Sequence, residues 1–144
     1  MGLRWSKSMS VGNEILDSDH KELLRLVNEV DRAIRTKNSA RFAETLKNLE
    51  DATRKHFSNE AKIAHAIEYG FDQHHLEHQY ILKEMQSIED ELSAYHGNWS
   101  ESIAEHYFHF LSTWAIDHID QDDMKMKASL EALPYDFKPD GLPA

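Results

Sequence analysis

NEILDSDHKELLRLVNEVDRAIR, residues 13–35, is the stretch on which the fold turns. Within it Leu16, His20, Leu23, Val27, Val30 and Ile34 follow one another in steps of four and three, which keep all six on one face of a helix. A histidine thus occupies a stripe that normally carries leucine or isoleucine, and it points inward. The same stepping joins Phe42, Leu46, Leu49, Thr53, His56, Glu60, Ile63 and Ile67, and again His74, His78, Ile81, Met85, Ile88 and Leu92. A fourth, less regular stripe runs through Ile103, Tyr107, Leu111, Trp114 and His118. Four apolar stripes on four helices, each carrying at least one inward-facing ionisable group, describe a bundle with a polar centre.

The punctuation between the stripes agrees. A first helix is expected from about Asn13 to Arg35, ending in the polar stretch Thr36 to Ser39, where Ser39 can cap a second helix that continues to about Ile67. Gly70 offers a left-handed residue to close it, and Asp72 can cap a third helix reaching roughly Tyr95. His96, Gly97 and Asn98 form the next break. The fourth helix starts around Ser100 and passes Trp114, with a shorter helical piece from about Asp123 to Leu133 before Pro134 stops it. Short loops between long amphipathic helices favour antiparallel neighbours, so the expected fold is all-α: an up-down-up-down antiparallel four-helix bundle over 13–133, with an N-terminal arm (1–12) containing Trp5 and a short C-terminal helix and tail (134–144).

At 144 residues the chain is expected to be a single domain with a real core. Its net charge of −10 argues against nucleic acid or anionic lipid as partners, since both require a basic surface. With no cysteine, disulfides, iron–sulfur clusters and thiolate zinc sites are excluded, which leaves nitrogen and oxygen as metal ligands. Residues 1–10 lack an apolar signal core and no stretch approaches the ~20 apolar residues of a membrane span, so the expected location is the cytoplasm. The sequence does not fix the oligomeric state, and a monomer is favoured.

Seven inward or near-inward groups can bind metal: His20, His56, Glu60, His74, His78, His118 and Asp123. Burying them without partners would cost several kcal/mol each, about 2–7 for a polar group and more for a charge. His56 and Glu60 are four apart, as are His74 and His78, so each pair lies one turn apart on one face. His118 and Asp123 are five apart, about 140° from each other on an ideal helix, so the chain must bend there for both to bind. Five imidazoles and two carboxylates are too many for one tetrahedral zinc but suit two octahedral irons bridged by both carboxylates and one oxo or hydroxo oxygen. An iron with three imidazoles is then six-coordinate and its neighbour, with two, keeps one open position. Such an opening in an apolar core suits a small diatomic molecule.

The order of motifs resembles the hemerythrin family, specifically a single-domain bacteriohemerythrin, from Trp5 to about Lys127. It rests on Ile15-Leu16-Asp17-Ser18-Asp19-His20 with Asn28 beyond, His56-Phe57-Ser58-Asn59-Glu60, His74-His75-Leu76-Glu77-His78, and Trp114-Ala115-Ile116-Asp117-His118-Ile119 leading to Asp123. The resemblance implies that His74, His78 and His118 hold the saturated iron, that His20 and His56 hold the oxygen-binding iron, and that Glu60 and Asp123 bridge. It also implies that Phe57, Trp114 and Ile119 wall an oxygen pocket and that the chain binds dioxygen reversibly as a carrier or store. Departures fall at Ala64, where the family usually has methionine, and at Ala115, where it usually has leucine. With both alanines lining the pocket, the cavity is expected to be larger and wetter than usual. The spacing from Glu60 to His74 is one residue short of the family's, which would select His75, but Gln79 four residues on is a poor iron ligand, so His74 and His78 are retained.

His65, His75, His96, His106 and His109 read as structural or exposed, and Asp17, Asp19, Asp117, Asp120 and Asp122 as solvated or as groups orienting an imidazole. A ferritin-like oxidase would need Glu-x-x-His motifs and a zinc hydrolase His-Glu-x-x-His, and the sequence has neither. The alternatives to carriage are sensing of oxygen or nitric oxide, or a di-iron redox enzyme acting on peroxide or nitric oxide. With no nameable proton donor near the open iron, the expectation is a binding protein rather than an enzyme.

Overall fold

The computed structural model describes residues 2–70 and 72–139, without the side chains of residues 72–74 and 122. Four long helices form the bundle: α1 Glu14–Arg35, α2 Ser39–Ala66, α3 Asp72–Ser93 and α4 Glu101–Asp117, followed by a short α5 at Lys127–Glu131. A 3₁₀ turn at Lys7–Met9 interrupts the N-terminal arm.

The helix starts follow side-chain capping. Asn13 accepts from the amides of Ile15 and Leu16 at 3.0 and 3.2 Å, and Ser100 from that of Ile103 at 3.2 Å. The second helix is capped by Asn38, which accepts from the Arg41 amide at 3.0 Å; Ser39, the expected cap, is already the first helical residue. The ends of α1 and α2 share one device. The Asn38 amide reaches back to the Ala33 carbonyl (3.1 Å) and the Tyr69 amide to that of Ala64 (2.8 Å), around a left-handed residue in each case. Those residues are Lys37 (φ 55°) and Glu68 (φ 56°), so the turn that closes α2 falls on Glu68 rather than on Gly70. Between α3 and α4, Gly97 has φ +89°, and a Cβ there would come within 2.9 Å of the Lys37 carbonyl, so the two loops at that end pack backbone to backbone.

Most of the core is one cluster along the bundle axis, including Leu23, Val27, Val30, Leu46, Leu49, Met85 and Leu111. At its loop end the buried Trp99 donates through Nε1 to the Ile34 carbonyl at 2.7 Å and sets its ring edge-on to Phe42. A second cluster of Val11, Leu16, Ile63, Ala64, Met126 and Leu130 seals the other end, where arm and α5 meet. Asp17, expected to be solvated or to orient an imidazole, is buried there and holds the termini instead. It accepts from Ser10 Oγ (2.5 Å), the Val11 amide (2.9 Å) and Tyr135 Oη (2.8 Å), fastening the arm and the tail to α1 with one carboxylate. Asn28 holds the arm further along, bonding both the amide and the carbonyl of Leu3. Helix α1 packs on α2 and α4, and α2 on α3, whereas the α3–α4 seam is the most loosely closed of the four among the described residues. No described helix is long and apolar enough to cross a membrane.

Candidate metal centre

The stripes carry their ionisable members to one level of the bundle. His20 comes from α1, His56 and Glu60 from α2, and His78 from α3, and all are buried. His118 directly follows α4 and opens a π turn, His118–Asp122, after which Asp123 begins a 3₁₀ turn that runs to Met126. That π turn is the bend required by the five-residue spacing. Its wider coil brings residues five apart onto nearly the same face, so the His118 and Asp123 side chains meet, with Nε2 and Oδ2 2.9 Å apart.

Asp123 Oδ2 is the focus of the site. The Nε2 atoms of His20, His56 and His118 lie 2.5, 3.0 and 2.9 Å from it, and those of His56 and His118 lie 2.9 Å from each other. Glu60 Oε2 is 3.0 Å from His56 Nε2 and 3.7 Å from His118 Nε2, and Glu60 Oε1 faces His78 Nε2 at 3.5 Å. His20, His56, His118 and Asp123 thus present four ligand atoms within 4.8 Å of one another, all on buried residues. The resemblance pairs His118 with His78. Here its ring is nearer that of His56 (centroids 5.0 Å) than that of His78 (5.8 Å), because Asp123 Oδ2 is a common acceptor for every imidazole within reach. The side chain of His74 lies outside the described residues.

The electrostatics are those of groups competing for a few acceptors. Burial alone would push the Asp123 carboxyl up, but the charge of His118 and hydrogen bonds from His118, His20 and His56 hold it well below the usual carboxylate range. Burial and the Asp123 charge likewise oppose ionisation of Glu60, and hydrogen bonds from His56 and His78 more than offset them. Burial lowers His20 and His78 despite their carboxylate partners. For His56 the balance reverses. Burial disfavours its charge, yet Asp123, Asp19 and Glu60 together raise it well above the ordinary histidine value. Asp19 is the outer partner: its Oδ2 accepts from His56 Nδ1 at 3.0 Å and from Asn59 Nδ2 at 3.1 Å, leaving His56 Nε2 aimed inward.

This donor set fits a metal. Ligand atoms about 2.1 Å from an octahedral ion are about 3.0 Å apart along its edges, against about 3.4 Å for a tetrahedral one. Four of the separations among His56 Nε2, His118 Nε2, Asp123 Oδ2 and Glu60 Oε2 are 2.9–3.0 Å and that from Glu60 Oε2 to His118 Nε2 is 3.7 Å, close enough together for the atoms to ligate a common ion. Imidazole and carboxylate together, without sulfur, suit iron.

Aromatic rings close the centre. Phe57 stacks flat on His78, centroids 3.5 Å apart and planes within 2°, and Trp114 stacks on His118 at 5.5 Å. Ile119 is fully buried in the main core beside them. The two alanines expected to widen the pocket are both buried. Ala64 is enclosed in the end cluster with Val11, Leu16 and Met126, and Ala115 is packed in the main core. An opening lies at the α3–α4 seam, a cavity of about 350 Å³ bounded by His78, His118, Trp114, Leu76, Tyr80 and Ile81, and neither alanine lines it. Leu76 and Tyr80 were not anticipated there; the available signal was two large apolar residues four apart on α3, off its buried stripe. His65, His75, His96, His106 and His109 are exposed, as are Asp117 and Asp120, while the Asp122 side chain lies outside the described residues.

Residues 11–130 match the hemerythrin HHE cation binding domain. The chain is 25% identical over 122 residues to a bacteriohemerythrin of Pseudomonas aeruginosa, covering 84% of this chain and 76% of that one. It is 29% identical over 127 residues to a hemerythrin-like protein of Naegleria gruberi, covering 88% and 92%. The fold superposes on the crystal structure of wild-type hemerythrin with a TM-score of 0.75 at 19% identity, over 90% of this chain and 98% of the other. A leucine-to-alanine mutant of hemerythrin gives 0.77 at 21% identity, over 91% and 99%.

Proposed function

The chain belongs to the hemerythrin HHE cation-binding family, and on that premise we propose that it binds dioxygen reversibly, as a carrier or store, at a non-haem di-iron centre. The observation that carries the reading is the convergence of His20, His56, His118 and Asp123, with Glu60 and His78 alongside, on one buried point. The proposed iron-holding residues are His20, His56, Glu60, His74, His78, His118 and Asp123, with Glu60 and Asp123 as bridges because each carboxylate faces imidazoles from more than one helix. Two irons held by these residues would supply two electrons to a bound diatomic molecule.

The remaining work falls to the chain's own side chains. Asp19 holds the His56 ring with Nε2 inward and keeps it basic. Phe57 and Trp114 fix the rings of His78 and His118 by stacking, and Ile119 packs beside them. Nitric oxide, similar in size to dioxygen, is the expected competitor. The decisive experiment is anaerobic reduction followed by air, with iron per chain measured. Two irons and a visible charge-transfer band that vanishes under argon support the reading; direct passage to the ferric state favours sensing or redox catalysis, and absence of iron refutes a di-iron centre.

A further inference from the structure

The seam between α3 and α4 is larger than a diatomic molecule needs. Outward from the cavity that touches His78 and His118 lies a second of about 310 Å³, and the two share Tyr80, Ile81 and Trp114, so they form one continuous groove. Its outer part is completed by Phe110 and Thr113, with His106 and His109 at the rim. Each half is about ten times the ~30 Å³ that one water occupies in the liquid, and a cavity of ~150 Å³ already holds a benzene ring. Both fall in the size range of small-molecule sites, which begins near 300 Å³.

Three features narrow the ligand. Tyr80, Phe110 and Trp114 line the outer part with three aromatic rings, which favour a flat aromatic guest. Among the described residues the side-chain polar groups of the outer part are those of Thr113, His106 and His109, the Tyr80 hydroxyl and the Trp114 indole N–H, enough to orient one hydroxyl group at the mouth. The net charge of −10 disfavours an anion. Leu76 and Tyr80, 61% and 60% exposed, are otherwise unexplained by the bundle's packing.

We propose that the α3–α4 groove binds a neutral single-ring phenol-type molecule, its ring between Tyr80 and Trp114 and its hydroxyl toward His106 or His109, at the mouth of the passage to His78 and His118. An occupant there lies outside the ligand shell and obstructs entry to it.

Phenol itself is the probe, titrated calorimetrically into the full-length iron-loaded chain and into Thr113→Phe. Thr113 is exposed on α4, so the substitution fills the groove without touching the core. The expected result is saturable binding of one phenol per chain, weakened at least about tenfold in Thr113→Phe, with iron content and melting temperature unchanged. Saturating phenol is also expected to slow association of azide with the ferric centre in the parent chain and not in the variant. Equal binding by both chains, or no saturable binding, overturns the proposal. A phenolate-to-iron charge-transfer band also overturns it, because it places the probe on the metal instead of in the groove. The calorimetric result does not depend on reversible dioxygen binding, so a failure of that reading under argon leaves this one standing or falling on its own.

Discussion

Replacing Asp19 tests whether the site is organised from outside its ligand shell. The residue stands on α1 immediately before His20, and its Oδ2 accepts from both His56 Nδ1 (3.0 Å) and Asn59 Nδ2 (3.1 Å). Loss of an outer partner of this kind typically costs 10–100-fold in metal affinity, about 1.4–2.7 kcal/mol. Its side chain is 17% exposed, so in Asp19→Ala water can reach His56 Nδ1 and recover part of that loss, which places the expected effect near the lower bound, about tenfold. Asp19→Asn keeps an oxygen where both donors point but removes the charge, so orientation survives and only the added basicity of His56 is lost; a decrease of about threefold is expected. The assay is anaerobic competition for ferrous iron against a chelator of known affinity, with the midpoint potential of the loaded chain beside it. A less basic His56 stabilises the ferric state less, so the potential rises in the order parent, Asn, Ala. An alanine variant with the parent's affinity and potential refutes a positioning role for Asp19, and an asparagine variant weaker than alanine refutes the assignment of orientation to the shared oxygen.

Four other outcomes follow from the packing. Trp99→Ala removes a buried indole from the loop end and is expected to cost about 3–5 kcal/mol in urea unfolding, with Trp99→Phe costing about 1 because the Ile34 carbonyl loses the indole donor and keeps the Lys37 amide at 3.1 Å. Asp17→Ala breaks three hydrogen bonds to a charged acceptor, each about 1.5–3 kcal/mol when the groups stay buried; because arm and tail can swing into water, about 3 kcal/mol is expected in total, with faster proteolysis near residue 10 as the second readout. Burial and the Asp17 hydrogen bond push the Tyr135 phenol up to about 12, so its contribution is complete below the ordinary tyrosine value of about 10 and is lost as pH rises through about 12. Unfolding measured across that alkaline range is expected to steepen in the parent and not in Tyr135→Phe. Removing iron from the loaded chain with a chelator is expected to lower the melting temperature, since His20, His56, His118 and Asp123 then share one buried point without a cation.

The helices and most of the centre were legible because both are written in periodicity. Steps of three and four placed His20, His56, Glu60, His78 and His118 on buried faces, and the odd spacing from His118 to Asp123 announced a bend. Details decided by competition between similar residues were not legible. Asn38 and Ser39 are both good caps, and only the path of the loop selects Asn38. Glu68 takes the left-handed turn because α2 ends at Ala66, before Gly70 is reached. Asp17 read as solvated or as orienting an imidazole because its partners, Ser10, Val11 and Tyr135, come from segments with no period of their own. The neighbours of Ala64 were illegible for a related reason: position along a helix shows that a residue is buried, but what it is buried against at the bundle's end depends on how arm and α5 fold back.

The π turn at His118–Asp122 has a consequence for what the chain can tolerate. One residue advances an α-helix by about 100°, and the wide turn absorbs one extra residue, so the segment after it stays in step with the helix before it. The setting that swings Asp123 toward His20 is the same one that delivers Met126 and Leu130 to Val11, Leu16 and Ile63. A deletion that left the turn wide would rotate the carboxylate and both apolar anchors out of place together, whereas one that let the turn tighten to an ordinary helix would keep their phase. The number of residues and the width of the turn are therefore matched, and the segment tolerates a change in one only with a change in the other.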